Sequence, residues 1–318
     1  MSKNDEIVKG VLAGDRRSIA KAITIVENNT TETQKLIAAI YPHTGKAHII
    51  GLTGPGGSGK STLIEKIAHE FRKQGKTVGI VAVDPTSPFT GGAFLGDRIR
   101  MQELSTDEGV FIRSMATRNY AGGIAKATKD AVKILDAAGK DVIIVETVGA
   151  GQSEVEVIKV AQTIVVIHAP GLGDDIQAIK AGLMEIADIF VVNKADRENA
   201  DRAVIDIQTM LQLSNTEKAW RPPVLKTVAL TGDGVPQLME TLEKHRNFLL
   251  KESQLERGME RAEAELLEAI KEKITDTILD ELKVNRKFEE LLKQILERKI
   301  DPASAAEKLL NEKFRMRR

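Results

Sequence analysis

Gly54, Gly56, Gly57, Ser58 and Gly59 stand immediately before Lys60, Ser61 and Thr62 in the stretch GLTGPGGSGKST. Gly54, four residues, then Gly59, Lys60 and Ser61 is the spacing of a phosphate-binding loop. Glycines let successive backbone N–H groups turn inward on a phosphate, and the helix N-terminus behind them adds partial positive charge. Lys60 then supplies a point charge to the β- and γ-phosphates, and the Ser61 hydroxyl is a ligand for Mg2+. Further along, Asn193, Lys194 and Asp196 form the pattern NKAD at the end of an apolar run. A fixed carboxylate at Asp196 can accept both N1–H and the exocyclic N2–H of guanine, whereas adenine offers the opposite pattern on that edge. Lys194 is expected to lay its stem over the ring, and Asn193 to tie its loop to the phosphate loop. A backbone N–H of Ala229 or Leu230, in the later stretch TVAL, is expected to reach the guanine oxygen.

Between the phosphate and base motifs lie Asp84, Asp97 and Glu146, carboxylates that could sense Mg2+ or the γ-phosphate. Asp97 reads equally as a helix cap. The segment DPTSPFTGGAFLGD (84–97), rich in Pro, Gly and Thr, reads as a first switch whose order depends on ligand. ETVGAGQSE (146–154) resembles a second switch with two changes: Glu146 in place of Asp, and Gln152 three residues after Gly149. Gly149 can present its N–H to the γ-phosphate, and Glu146 reaches one methylene further towards the metal or its water shell. The displaced Gln152 would position the attacking water only once the loop is remodelled. Slow intrinsic hydrolysis accelerated by a partner follows, with Lys60, Glu146 and Gln152 as the catalytic set.

The elements that must hold these residues are legible from periodicity. Short apolar runs at 47–52, 78–83, 110–115, 141–146, 163–168, 188–193 and 223–228 alternate with amphipathic stretches. Runs of β-branched residues without polar alternation mark strands buried on both faces, so a doubly wound, mostly parallel α/β core is predicted over residues 46–244. Residues 1–45 carry helical spacing, read as two helices separated by NNTTET. Beyond 245 the strand signal stops. Leu255, Met259, Ala262, Leu266, Ile270, Ile274 and Ile278 trace one stripe on a long charged helix, and Asp301 with Pro302 announces a final one. This extension, 245–318, either folds back on the core or forms a dimer interface.

Composition narrows the partners. Lys plus Arg equal Asp plus Glu at 46 each, so no global field points to nucleic acid or an anionic membrane. No cysteine is present, and no segment approaches 18 apolar residues. The opening MSKNDEIVKGVLAGDRR has charges where a signal peptide needs an apolar run, and a cytoplasmic protein is expected. The five histidines, His43, His48, His69, His168 and His245, are scattered, and each by itself reads as a surface or satisfied core residue.

Taken together, GPGGSGKST, VDPTSPFTGG, LGDRIRM, ETVGAGQSE and PGLGDDIQAIKAGLMEIADIFVVNKAD resemble the MeaB/ArgK family of methylmalonyl-CoA-mutase-associated GTPases. The resemblance implies a P-loop GTPase of the metallochaperone-like class that binds GTP and GDP with Mg2+ and dimerises through its C-terminal helices. It also implies a client: an adenosylcobalamin-dependent acyl-CoA mutase, whose cofactor loading is gated and whose inactivation is prevented. The family's second switch has the Glu-to-Gln spacing of 146–152, and its third covers 175–188 here, with Gln177 and Lys180 as contacts to partner or nucleotide. Read from the sequence alone, Lys180 is a solvated helix lysine. Ala150 stands where valine is common in the family, and RNYAGG (118–123) replaces a more usual pattern. A nickel-delivery GTPase would want clustered soft or imidazole ligands, and a small-molecule kinase or transport-linked ATPase an acceptor pocket without a guanine-reading Asp196. A non-catalytic scaffold would bind GTP without turnover.

Overall fold

The computed structural model describes residues 3–28, 31–85, 102–117, 123–147, 160–171, 181–213, 219–251, 254–283 and 286–315. The chain forms two compact units, Met1–Leu249 and Leu250–Arg318. All seven apolar runs are strands: β1 (His48–Thr53), β2 (Val78–Pro85), β3 (Val110–Thr117), β4 (Val142–Thr147), β5 (Thr163–His168), β6 (Ile189–Asn193) and β7 (Val224–Thr227). They form one sheet in the order β3-β2-β4-β1-β5-β6-β7, and every pairing is parallel. β4, β5 and β6 are buried at every position, which is why their sequences lack a polar alternation.

Parallel strands need crossovers, and the helices that supply them cover both faces. On one face, Ile50 and Leu52 pack with Leu63, Ile64 and Ile67 of α4 (Lys60–Lys73), Leu104 of a short α5 (Gln102–Ser105), and Leu238 and Leu242 of α9 (Val235–Lys251). The opposite face takes α6 (Gly123–Ala137) and the N-terminal helices α1 (Lys3–Leu12), α2 (Arg16–Glu27) and α3 (Thr31–Ile40) over β2, β3 and β4. There α7 (Ala181–Ile186) and α8 (Ala200–Leu213) cover β5 and β6. The N-terminal stretch thus has one break more than its periodicity shows. Gly14, at φ +75°, reverses the chain after α1, and the Asp15 carboxylate caps α2 by accepting from the Ser18 N–H at 2.8 Å.

The second unit consists of α10 (Gln254–Lys283), α11 (Arg286–Leu296) and α12 (Pro302–Arg315). Asp301 caps α12 as its sequence predicts, accepting from the Ala303 and Ser304 amides at 3.0 Å each. α11 is an element the stripe on α10 does not announce. Phe288, Leu291 and Ile295 of α11 line an apolar cavity of about 290 Å³ with Pro302, Ala305 and Leu309 of α12. Along α10, Met259, Leu266, Ile270 and Ile274 are exposed.

At the N-terminal edge of the sheet, four residues distant in sequence form a buried polar relay. His48 Nε2 lies 2.8 Å from Thr163 Oγ1, which lies 2.9 Å from His245 Nδ1, and His245 Nε2 faces Asp188 Oδ1 at 3.4 Å. Each atom is satisfied when His48 Nε2–H donates to Thr163 Oγ1, the Thr163 hydroxyl donates to His245 Nδ1, and His245 Nε2–H faces Asp188. Burial, reinforced by Arg246, His245 and Lys76, depresses His48 from 6.5 to about 3. The unfolded chain therefore takes up a proton here as pH falls below 6.5 while the folded chain resists until about pH 3. This stabilisation is complete above 6.5 and is lost across that window, by about 2 kcal/mol at pH 5. We expect His48→Gln, which keeps the donor to Thr163, to lose correspondingly less stability between pH 7.5 and 5 in denaturant unfolding. An unchanged loss would remove His48 as its source.

Candidate functional site

The sheet order places the loop after β1 at the centre of the C-terminal edge, between the ends of β4 and β5. Ligands of open parallel sheets bind at that edge. The backbone leaves β1 through Gly54, at φ +147°, where a Cβ would lie 1.9 Å from the Ile167 carbonyl oxygen of β5. It enters α4 through Gly59, at φ +88°, where a Cβ would lie 2.4 Å from Asn193 Nδ2. Only glycine permits both approaches. The first amides of α4 have no partners inside the helix, and Gly59, Lys60, Ser61 and Thr62 line a cavity of about 430 Å³ together with Gly56 and Gly57. Lys60 is buried, and its ammonium donates to the Gly54 and Pro55 carbonyls at 2.8 and 3.1 Å, so the cation is held over its own loop.

β4 lies against β1 with Glu146 in register with Leu52, which brings that carboxylate beneath the start of α4. Ser61 Oγ donates to Glu146 Oε1 at 2.8 Å, and Glu146 is 3% exposed. One strand position further, Thr147 Oγ1 donates to Thr53 Oγ1 at 2.9 Å and locks the two strand ends together. A hydroxyl and a buried carboxylate meeting beside a phosphate loop are hard oxygen donors, the chemistry Mg2+ requires.

The base side of the cavity is built on Asn193, the last residue of β6. Asn193 Nδ2 donates to the Ser58 carbonyl at 2.8 Å, while its Oδ1 accepts from Thr227 Oγ1 at 3.1 Å and from the Ala229 amide at 3.0 Å. One side chain thereby joins the phosphate loop to the ends of β6 and β7. Lys194, at φ +56°, sends its ammonium to the Gly57 carbonyl at 2.6 Å. Asp196, Ala229 and Leu230 line the same cavity. Of the two amides the sequence offers for the guanine oxygen, that of Ala229 is taken up by Asn193, and Leu230 carries the remaining one.

Of the other residues singled out in the sequence, Asp84 is the penultimate residue of β2, one position beyond the Val83–Thr147 register pair, and its side chain is outside the described residues. Asp97, Gly149, Gln152, Gln177 and Lys180 also lie outside the described residues. Two lining residues carry no motif signal of their own, Arg197 and Val228. Arg197 follows directly on NKAD and puts a cation at the rim.

The model of the methylmalonyl-CoA mutase-associated GTPase MeaB family matches residues 19–285. A protein of Pyrococcus horikoshii is 52% identical over 314 residues, covering 98% of each chain. The GTPase ArgK of Escherichia coli is 33% identical over 92% of this chain and 89% of its own. Among solved structures, that of a LAO/AO transport system kinase is similar with a TM-score of 0.72 at 27% identity over 98% of each chain. The matched span takes in every residue of the cavity, and the chain belongs to the family of methylmalonyl-CoA mutase-associated GTPases named MeaB.

Proposed function

We propose that this GTPase is a nucleotide-gated escort of an adenosylcobalamin-dependent acyl-CoA mutase, controlling cofactor loading and protecting the mutase from inactivation. The observation that carries the reading is the family match running through the whole guanine-nucleotide cavity. With GTP bound, Lys60 moves its ammonium from the Gly54 and Pro55 carbonyls to the β- and γ-phosphates, and the amides of Gly59 to Thr62 hold the phosphate oxygens. Ser61 and Glu146 would hold Mg2+, with Asp84 and Asp97 in the same network, and the ion would supply positive charge against the charge that develops on the phosphates. Asp196 accepts from guanine, Leu230 donates to its oxygen, and the Lys194 stem, pinned at its head by Gly57, covers the ring.

Hydrolysis then follows from positioning. Once its loop is remodelled, Gln152 orients a water in line with the γ-phosphorus; the water oxygen bonds to that phosphorus as the bond to the bridging oxygen breaks, the electron pair leaves with GDP, and the water's proton passes to the released phosphate. Loss of the γ-phosphate releases Gly149. The segments 84–97, 146–154 and 175–188, the last with Gln177 and Lys180, change their order and with it the affinity for the mutase. In this reading residues 46–244 are the GTPase domain, 1–45 a helical segment before it, and 245–318 a dimerisation extension. The exposed stripe of α10 supplies the surface for a second copy.

The test is phosphate release from GTP and from ATP with Mg2+, with and without an adenosylcobalamin-dependent acyl-CoA mutase of the same organism. Slow, GTP-selective turnover that rises with the mutase is expected. GTP turnover indifferent to every such mutase would sink the client assignment, and turnover of ATP would favour the transport-linked kinase reading.

A further inference from the structure

Three side chains that do not line the nucleotide cavity converge on one point. Glu65 and His69 are one turn apart on α4, the i, i+4 spacing that sets two side chains on one face. Glu103 of α5 meets them, and one ligating atom of each lies within 4.8 Å of the other two. His69 Nε2 and Glu103 Oε2 are 4.0 Å apart, too far for a hydrogen bond. Neither carboxylate forms an ion pair with a lysine or arginine of the described residues. Two carboxylates and an imidazole thus offer three ligand atoms within one small space.

The backbone that presents Glu103 is fixed by contacts unrelated to this cluster. Leu104 is fully buried among Leu63, Ile64 and Ile67 of α4. Arg72, on the same helix, donates from Nε to Asp107 Oδ2 at 2.9 Å, and Asp107 Oδ1 accepts from the Gly109 amide at 2.7 Å. The backbone positions that carry the three ligands are therefore fixed relative to one another by packing that does not involve the ligands themselves.

We propose that Glu65, His69 and Glu103 form a binding site for a first-row divalent cation of the zinc type, with water completing its coordination. One imidazole nitrogen and two carboxylate oxygens suit zinc or its neighbours, whereas Mg2+ and Ca2+ take oxygen throughout. Modest side-chain rotation brings the three atoms to bonding distances of about 2.0–2.2 Å. The cation would join α5 to the helix that begins with Lys60 and Ser61, one turn before Glu65. The segment 86–101 leads directly into α5, so the bond would fix one end of the proposed first switch.

Site assignment is tractable because the chain has no cysteine and five histidines, of which His48, His168 and His245 are buried. The test uses the full chain, stripped of metal, with GDP and excess Mg2+ present so that Ser61 and Glu146 are occupied. Zinc chloride is titrated by calorimetry, and Co2+ serves as a spectroscopic probe. We expect one equivalent of zinc with micromolar affinity, a raised Tm, and visible Co2+ bands of a four- or five-coordinate site. His69→Gln and Glu103→Gln should each weaken zinc by about tenfold or more and abolish those bands, while His43→Gln leaves them unchanged. Both variants alter exposed or half-exposed side chains, so their metal-free Tm and basal GTP turnover should match the parent. Zinc binding equal in parent and variants, or none in the micromolar range, would overturn the proposal.

Discussion

Replacing Asp196 by asparagine is expected to lower affinity for GTP by about 10³-fold and to move the preference towards xanthosine triphosphate. Two hydrogen bonds to a charged acceptor are at stake, together worth about 4 kcal/mol. The asparagine amide keeps an acceptor for N1–H but turns a donor towards the exocyclic amine, so the loss includes an unpaired group as well as a missing bond. Xanthine carries an oxygen where guanine carries that amine, and the amide then matches both positions. The swap should be clean because the loop is held by its backbone. The Ala195 amide donates to the Thr227 carbonyl and the Arg197 amide to the Lys194 carbonyl, each at 3.0 Å. Competition of GTP, xanthosine triphosphate and ATP for the variant and the parent checks it. An unchanged order of preference would mean that Asp196 does not read the base.

The seven strands and the two nucleotide motifs were legible because each depends on local pattern: unbroken apolar runs for buried parallel strands, and fixed glycine or carboxylate spacing at strand ends. What was not legible depends on which strands the topology makes neighbours. His48 and Thr163 meet because β1 and β5 are adjacent, and His245 and Asp188 join them from α9 and from the residue before β6. Taken one at a time along the chain, those histidines carry no sign of a relay. Glu65, His69 and Glu103 are a similar case, since only the i, i+4 pair is visible in sequence and the third ligand arrives through the packing of Leu104. The break before α2 was available in the string Gly14-Asp15 and was masked by apolar spacing that continues across it. The sequence leaves Ala229 and Leu230 as equal candidates for the opposite reason. A strand-end amide reads as free until the acceptor that takes it, Asn193 Oδ1, is located in space.

That acceptor carries the larger structural consequence. Asn193→Ala should destabilise the first unit by about 3 kcal/mol and lower its Tm by roughly 6–12 °C. It should also weaken GDP and GTP binding by about 100-fold. The side chain is 1% exposed and makes three hydrogen bonds. Its removal leaves the Ser58 carbonyl, the Thr227 hydroxyl and the Ala229 amide without it, in a space too enclosed for each to find water. Affinity falls for a separate reason: the phosphate loop and the two base-side loops no longer have a common anchor, so the nucleotide must order them on binding. Asn193→Asp separates the two effects. An aspartate keeps the oxygen that accepts from Thr227 and Ala229 but sets a second oxygen against the Ser58 carbonyl, which breaks the tether to the phosphate loop alone. Its nucleotide affinity should fall nearly as far as that of the alanine variant, while the geometry of the β7 loop around Leu230 is retained. Thermal unfolding with and without GDP, beside GDP titration, distinguishes these outcomes. If Asn193→Ala binds GDP as the parent does, the three loops are positioned independently and Asn193 is a packing residue only.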